Sequence, residues 1–313
     1  MAEIVLGIGA SHTTLMNTCW DAVDHLDRAH RFRDALRDAA RRLAAAEPEA
    51  VVIIGSNHFR GFWLDLMPAF TIGVDEVISG GEHGTPAGGL PSAPAVARHI
   101  CEFLVARDFD IAFSTRLTVD HGVSHAYQWL MKEISVPIVP IVINCFAPPL
   151  PSLARTRLFG RALREALLSS TLGRVAVIGT GGLSHTLPFP DWRSPKSDDD
   201  HFLVDSWREG RGRWRDFEAR RRAIVTGAPA MLNEEFDRAF LNAVEGGKVA
   251  ALAETLNDNA LVRAAGNGAA EIRTWLTMAA VMAHQPGQAL AYSPMPEWLT
   301  GMAVAIIPNG ASS

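Results

Sequence analysis

An α/β sheet covered by helices on both faces is the fold this sequence predicts. Two observations carry that expectation. Short β-branched apolar runs alternate with helical stretches from Ile4 to Ile178, and runs end in small-residue turns that lead to histidine. Ile4–Ile8 is the first run and ends in Gly9-Ala10-Ser11-His12. Arg31–Ala46 has apolar residues near helical spacing on an Ala/Arg background, which predicts a surface helix stopped by Pro48. Ala50–Ile54 is a continuous apolar run, as expected of a strand buried on both faces, and ends in Gly55-Ser56-Asn57-His58. Pro94–Arg107 reads as a helix, Ile111–Thr115 as a strand and Tyr127–Glu133 as a helix. Val136–Asn144 is a further strand, Thr156–Ser169 a helix, and Arg174–Ile178 a strand ending in Gly179-Thr180-Gly181-Gly182. The second half differs. Asp191–Asp200 is polar and turn-rich, Arg208–Arg222 is arginine-laden, and Asn233–His284 reads as several helices. With no linker and no internal repeat, residues 1–313 are expected to form a single domain.

Composition narrows the function. The 313 residues are 48% hydrophobic and 20% charged, close to the globular average, which argues against disordered, collagen-like and disulfide-stapled classes. A net charge of −5 gives no global positive field for nucleic acid. Glu209, Asp216 and Glu218 interrupt the Arg208–Arg222 stretch, so a solvated helix or a subunit contact is expected there. The longest mostly apolar run, Val136–Leu150, falls short of the roughly 20 residues of a membrane span, and prolines and Asn144 break it. MAEIVLGIGASH carries an acid where a signal peptide has Lys or Arg, so it reads as a strand. Cys19, Cys101 and Cys145 form no CxxC pair and suit a reducing cytoplasm.

The histidines carry the chemistry. Binding sites in open α/β sheets form beyond the carboxyl ends of strands. His12, His58 and His185 each fall there, behind Ser11, Asn57 and Ser184, and His121 follows Leu117–Asp120 in an Asp-His-Gly triplet. One such histidine is ordinarily a hydrogen-bonded structural residue. Four placed alike point to a shared site. His25, His30, His99, His201 and His284 sit in helical or polar surroundings and are expected at the surface, while His83 and His125 stay undecided.

Two histidines and one carboxylate on one face of an iron(II) leave three positions for substrate and dioxygen. Glu271 is the candidate carboxylate. Gly266-Asn267-Gly268 lets a helix start close to a ligand, and the apolar residues that follow would bury it. Its structural alternative is a helix N-terminal acid favoured by the dipole. His and Glu suit zinc as well, so spacing does not separate the metals. Other motifs fit poorly. GxGxxG fails because position 184 is Ser, and neither GxxxxGK[ST] nor GxSxG occurs. The cysteines have no adjacent general base and read as core or strand residues.

Gly9-Ala10-Ser11-His12, Asn57-His58-Phe59, Val119-Asp120-His121-Gly122, Gly179–His185 and Glu271-Ile272-Arg273-Thr274-Trp275 resemble segments of the class III extradiol ring-cleavage dioxygenases, the protocatechuate 4,5-dioxygenase beta-subunit type. Gly61–Pro68, Thr156-Arg157 and Pro294–Trp298 are similar to the 2,3-dihydroxyphenylpropionate 1,2-dioxygenase branch. The ordered set spans His12 to Trp298. The resemblance implies an α/β sandwich around a mixed sheet, working as a homo-oligomeric, mononuclear non-haem Fe(II) enzyme. Such an enzyme uses O₂ to open a catechol beside its hydroxyl pair in aromatic catabolism. It implies His12, His58 and Glu271 as metal ligands, His185 as acid/base and His121 as a second proton-handling histidine. Asn57 departs from the Asp of that branch, which leaves ligation by His58 intact and changes its hydrogen-bonding surroundings. Asp120 either orients His121 or turns the chain. Phe59–Phe70, with Trp63 and Met67, either walls a ring pocket or packs the core, and Arg60 is a candidate partner for an anionic side chain on the ring. Asp191–Asp200 is either a flap over the site or a surface loop. The competing functions are the same chemistry on an aminophenol or gallate-type ring, a zinc hydrolase, and a metal-binding protein without catalysis. The presence of both His121 and His185 disfavours the last.

Overall fold

The computed structural model describes residues 2–310. In chain order it contains β1 (Glu3–Ala10), α1 (Thr14–Thr18), α2 (Leu26–Ala45), β2 (Ala50–Ser56), β3 (Phe70–Gly80) and β4 (Ala87–Leu90). Next come α3 (Pro94–Val105), β5 (Ala112–Val119), α4 (His121–Leu130), β6 (Ile138–Ile143), α5 (Leu153–Leu168) and β7 (Arg174–Thr180). Then follow α6 (Asp198–Glu209), α7 (Trp214–Gly227), α8 (Glu234–Glu245), α9 (Val249–Thr255), α10 (Asp258–Ala265), α11 (Ile272–Val281), β8 (Gln288–Met295) and β9 (Thr300–Pro308).

These strands form one sheet in the order β4-β3-β6-β2-β7-β1-β9-β8, with β5 paired to β3. The central β6-β2-β7-β1 strands are parallel, and β2 and β6 are buried throughout, as the continuous apolar runs require. Antiparallel pairs β3–β6, β3–β4, β1–β9 and β8–β9 flank that centre, so the sheet is mixed, as expected. Helices cover both faces. Side chains of α3, α5 and α11 fill the core on one side, and those of α2 and α4 fill it on the other. Because β7 pairs with both β1 and β2, the chain segments that follow these three strands leave the sheet side by side. No helix among the described residues is long and apolar enough to cross a membrane.

Differences from the sequence reading have local causes. Helix α4 begins at His121 rather than Tyr127, because the Asp120 side chain accepts the Gly122 N–H and caps it there. Strand β3 and the β8–β9 hairpin went unforeseen. Gly73, Asp75 and Glu76 interrupt the first, and Pro294 sits in β8. The Asp191–Asp200 stretch ends in a capping box, with Ser197 and Asp200 opening α6.

Helix α11 lies unusually close to the sheet. A Cβ at Gly9 would fall 2.2 Å from the Trp275 ring, and one at Gly179 would fall 2.5 Å from the Thr274 carbonyl oxygen. Since Glu271 immediately precedes α11, this approach sets how near its carboxylate comes to the strand ends. Gly179→Ala is expected to cost about 1–3 kcal/mol in urea denaturation, because the backbone it meets cannot swing away like a flexible side chain.

Candidate active site

The three parallel strands deliver their following residues to one buried point. His12 leaves β1, and its Nδ1 lies 2.7 Å from Thr180 Oγ1 at the end of β7. His58 leaves β2, with Nδ1 at 3.3 Å from Asp120 Oδ1 and its main-chain N–H donating to the same carboxylate. Glu271 meets both. Its Oε1 is 3.2 Å from His12 Nε2 and 3.3 Å from His58 Nε2. Gly182 N–H donates to Oε2 at 2.7 Å, and the Ser56 hydroxyl donates to Oε1. Glu271 is 1% exposed, and no Arg or Lys pairs with it among the described residues.

His185 and His121 stand beside this cluster. His185 Nδ1 is 2.9 Å from the Leu183 carbonyl oxygen, which can only accept, so Nδ1 carries the proton and Nε2 is bare. That Nε2 lies 3.9 Å from Glu271 Oε2. His121 stacks on His58 with ring centroids 3.9 Å apart. Both its main-chain N–H and its Nδ1 reach Glu82 Oε1, at 2.7 and 2.9 Å. The structure therefore brings all five predicted residues together, and ring nitrogens of His12, His58 and His121 lie within 4.8 Å of one another.

Burial and neighbouring charge set the protonation states. Burial opposes ionisation of Glu271, but His12 and His58 outweigh it and hold the carboxyl well below its usual range. Burial likewise opposes charge on His58, and Asp120 and Glu271 overcome it, pushing the imidazole up to about 10. His185 is lowered because burial outweighs the attraction of Glu271. His121 is lowered by burial and by His58, against the opposing pull of Glu82.

The donor set fits a divalent cation. A buried carboxylate needs positive charge close by. His12 Nε2 is buried with no hydrogen-bond partner among the described residues, and it faces that carboxylate. Two imidazoles and one carboxylate with adjacent open space match the donors of mononuclear oxygenase sites.

Several functional partners were not evident in the sequence. Asp120 does not orient His121. It caps α4 and holds His58, while Glu82, from the turn after β3, holds His121. Asn57 leaves the His58 ring alone. Its side chain bonds the main chain at Gly61 and Phe62, so its departure from Asp shapes the loop and not the ligand. Phe59 and Trp63 pack the core, with Phe59 stacked on Trp207 at 4.2 Å. The apolar cavity wall comes instead from Leu15, Leu187, Phe189, Val225, Trp298 and Leu299. Helix α7, expected to be solvated or a subunit contact, covers the cavity, and buried Arg221 donates to the His58 and Phe59 carbonyls. His83 joins the site rim through Glu218, whereas buried His125 lies behind His12 with ring centroids 6.3 Å apart.

Asp120→Asn replaces the carboxylate that fixes the His58 ring. A loss of about 10- to 100-fold in metal affinity is expected by metal titration, with the fold preserved in circular dichroism.

Comparisons with known proteins identify the family. Residues 6–303 match the family described as the catalytic LigB subunit of aromatic ring-opening dioxygenase. A 2,3-dihydroxyphenylpropionate/2,3-dihydroxicinnamic acid 1,2-dioxygenase of Paraburkholderia xenovorans is 36% identical, over 92% of this chain and 93% of that protein. The enzyme of the same name from Cupriavidus necator is 35% identical, over 94% of this chain and 95% of its own. A solved structure, the uncharacterized protein JW3007 from Escherichia coli K12, shares the fold at a TM-score of 0.52 and 16% identity, covering 97% of this chain and 99% of its own. By family match and by relatives over nearly its whole length, the chain belongs to the LigB family of aromatic ring-opening dioxygenases.

Proposed function

We propose that this chain is an Fe(II)-dependent extradiol dioxygenase, acting on a catechol with a short acidic side chain like the substrates named for its relatives. The single observation that carries the reading is Glu271 lodged between the Nε2 atoms of His12 and His58, with His185 presenting a bare Nε2 beside them. His12, His58 and Glu271 would hold the iron. Bound there, Fe(II) would supply the redox chemistry that joins the catechol and dioxygen.

The protein's own residues handle protons and exclude water. A catechol must lose protons to bind through both oxygens. His185 is neutral near pH 7 and accepts a hydroxyl proton at Nε2, while its Nδ1–H stays on the Leu183 carbonyl. Gly268 presses the ring into place, since a Cβ there would sit 2.1 Å from His185 Cδ2. His121 accepts or returns a second proton, and Glu82 beside Nδ1 stabilises the imidazolium it then becomes. Leu187, Phe189, Trp298 and Leu299 supply apolar surface against the ring.

In this reading residues 1–313 act as one catalytic domain in the cytoplasm and as a homo-oligomer. Three free cysteines support a reducing compartment. Exposed Phe113 and Val105 support an apolar contact between copies.

The test is anaerobic loading with Fe(II), then addition of oxygen and a catechol panel with visible absorbance and oxygen uptake recorded together. A yellow product with equimolar oxygen consumption is expected, and chelation of the metal abolishes it. No uptake by folded, iron-loaded protein would refute the reading. His12→Ala and His58→Ala are expected to lose iron and turnover together. His185→Ala keeps iron and loses about 100- to 10,000-fold in turnover. The reverse pattern would exchange the assignments of ligand and base.

A further inference from the structure

Three cations line the cavity, and their partners differ. Arg60 is buried and spent, since its guanidinium pairs with Glu218 and lies 3.5 Å from Glu82. It therefore offers no unbalanced charge to a ligand, contrary to the sequence-based suggestion. Arg221 is also buried, has no carboxylate partner among the described residues, and is held by the main-chain carbonyls of His58 and Phe59, to which it donates. Arg222 is half-buried, and its only hydrogen bond among the described residues is to the neutral Thr18 hydroxyl, at 2.8 Å. No carboxylate pairs with it among the described residues, and unlike Arg221 it is not held to main-chain carbonyls, so its donors are the least committed of the three.

Placement makes that charge useful. Glu218, Arg221, Arg222 and Val225 follow one another at helical spacing on α7, and all four line the cavity that holds His12, His58, His185 and Glu271. Leu15, Val225 and Leu299 add apolar surface to the same cavity wall. A cavity that combines histidines with apolar side chains and a guanidinium without a carboxylate partner among the described residues suits an aromatic ring bearing an anionic tail. The planar guanidinium matches a carboxylate through two parallel hydrogen bonds.

We infer that Arg222 is the residue that selects substrates carrying a carboxylate on the ring's side chain. The inference rests on the ring-opening reading above and assigns its specificity. Arg222 binds the tail and takes no part in the proton transfers. Its removal acts on affinity for acidic ligands and leaves neutral ones alone.

The experiment is equilibrium binding to the iron-loaded protein without oxygen, followed by tryptophan fluorescence. Its probes are 3-(2-hydroxyphenyl)propionate and the neutral 2-propylphenol. The wild type is expected to prefer the acid. Arg222→Gln retains a partner for Thr18 but is expected to bind the acid about 10- to 100-fold more weakly, the worth of a charge-assisted hydrogen bond. Binding of 2-propylphenol stays unchanged, and Arg222→Lys recovers part of the loss. The inference is overturned by a wild type without preference, by Arg222→Gln that keeps the preference, or by equal weakening of both probes. Oxygen uptake by the wild type on 2,3-dihydroxyphenylpropionate and 3-propylcatechol runs in parallel. Failure on both refutes ring opening, while the binding comparison still decides the role of Arg222.

Discussion

A carboxylate buried with no Lys or Arg partner among the described residues is the constraint on which the rest of this structure depends. An isolated ionised carboxylate inside a protein costs several kcal/mol unless positive charge and hydrogen bonds replace its water. Glu271 collects such replacements from every side: Ser56 and Gly182 as donors, and the imidazoles of His12 and His58 at 3.2 and 3.3 Å. Those groups come from the ends of β1, β2 and β7, and only the central parallel run of the sheet places the three ends together. The tight seating of α11 against Gly9 and Gly179 supplies the remaining coordinate, the depth at which Glu271 arrives.

Charge is sorted by distance from that point. Around the rim, Arg60, Glu82, Glu218 and His83 are joined in a chain, with Arg60 between the two carboxylates and His83 hydrogen-bonded to Glu218. Removing one member would leave a buried or half-buried charge exposed to its like neighbours, so the chain behaves as a unit. Glu82 belongs to both systems, because the same carboxylate that faces Arg60 also grips His121. The rim is thereby tied to the proton-handling group, and helix α7 is tied to the rim through Glu218.

Much of this was legible in the sequence, for a physical reason. Strands buried on both faces must be continuous apolar runs, and Ala50–Ile54 and Arg174–Ile178 are such runs. The residues that follow them are then candidates for a site. His12, His58 and His185 follow directly from that rule. The partners do not, because hydrogen bonds to side chains are made through space. Asp120 adjoins His121 in the chain, yet helix capping turns its carboxylate back toward His58. Glu82 lies 39 positions from His121 and serves it nonetheless. Arg60 follows His58 and suggested an anion contact, but only packing could reveal that Glu218, far along the chain, already occupies it. Strand β3 was hidden because its Gly and acidic residues break the apolar pattern that marks the central strands.

The four imidazoles share one device and differ in one respect, the group that holds Nδ1. Each has its Nδ1 tied to a neighbour, so each turns Nε2 toward the site. For His58 the neighbour is a carboxylate, which enriches the ring and strengthens Nε2 as a ligand. For His12 it is a hydroxyl, and Nε2 is left buried with no hydrogen-bond partner among the described residues. His185 and His121 differ in the same terms. The Leu183 carbonyl carries no charge, so it fixes the tautomer of His185 while doing little to retain a second proton. Glu82 is charged, so at His121 it works against the lowering that burial and the neighbouring His58 impose. Under the proposed function both rings would exchange protons with the substrate, and the charge on the group that holds Nδ1 is what distinguishes them.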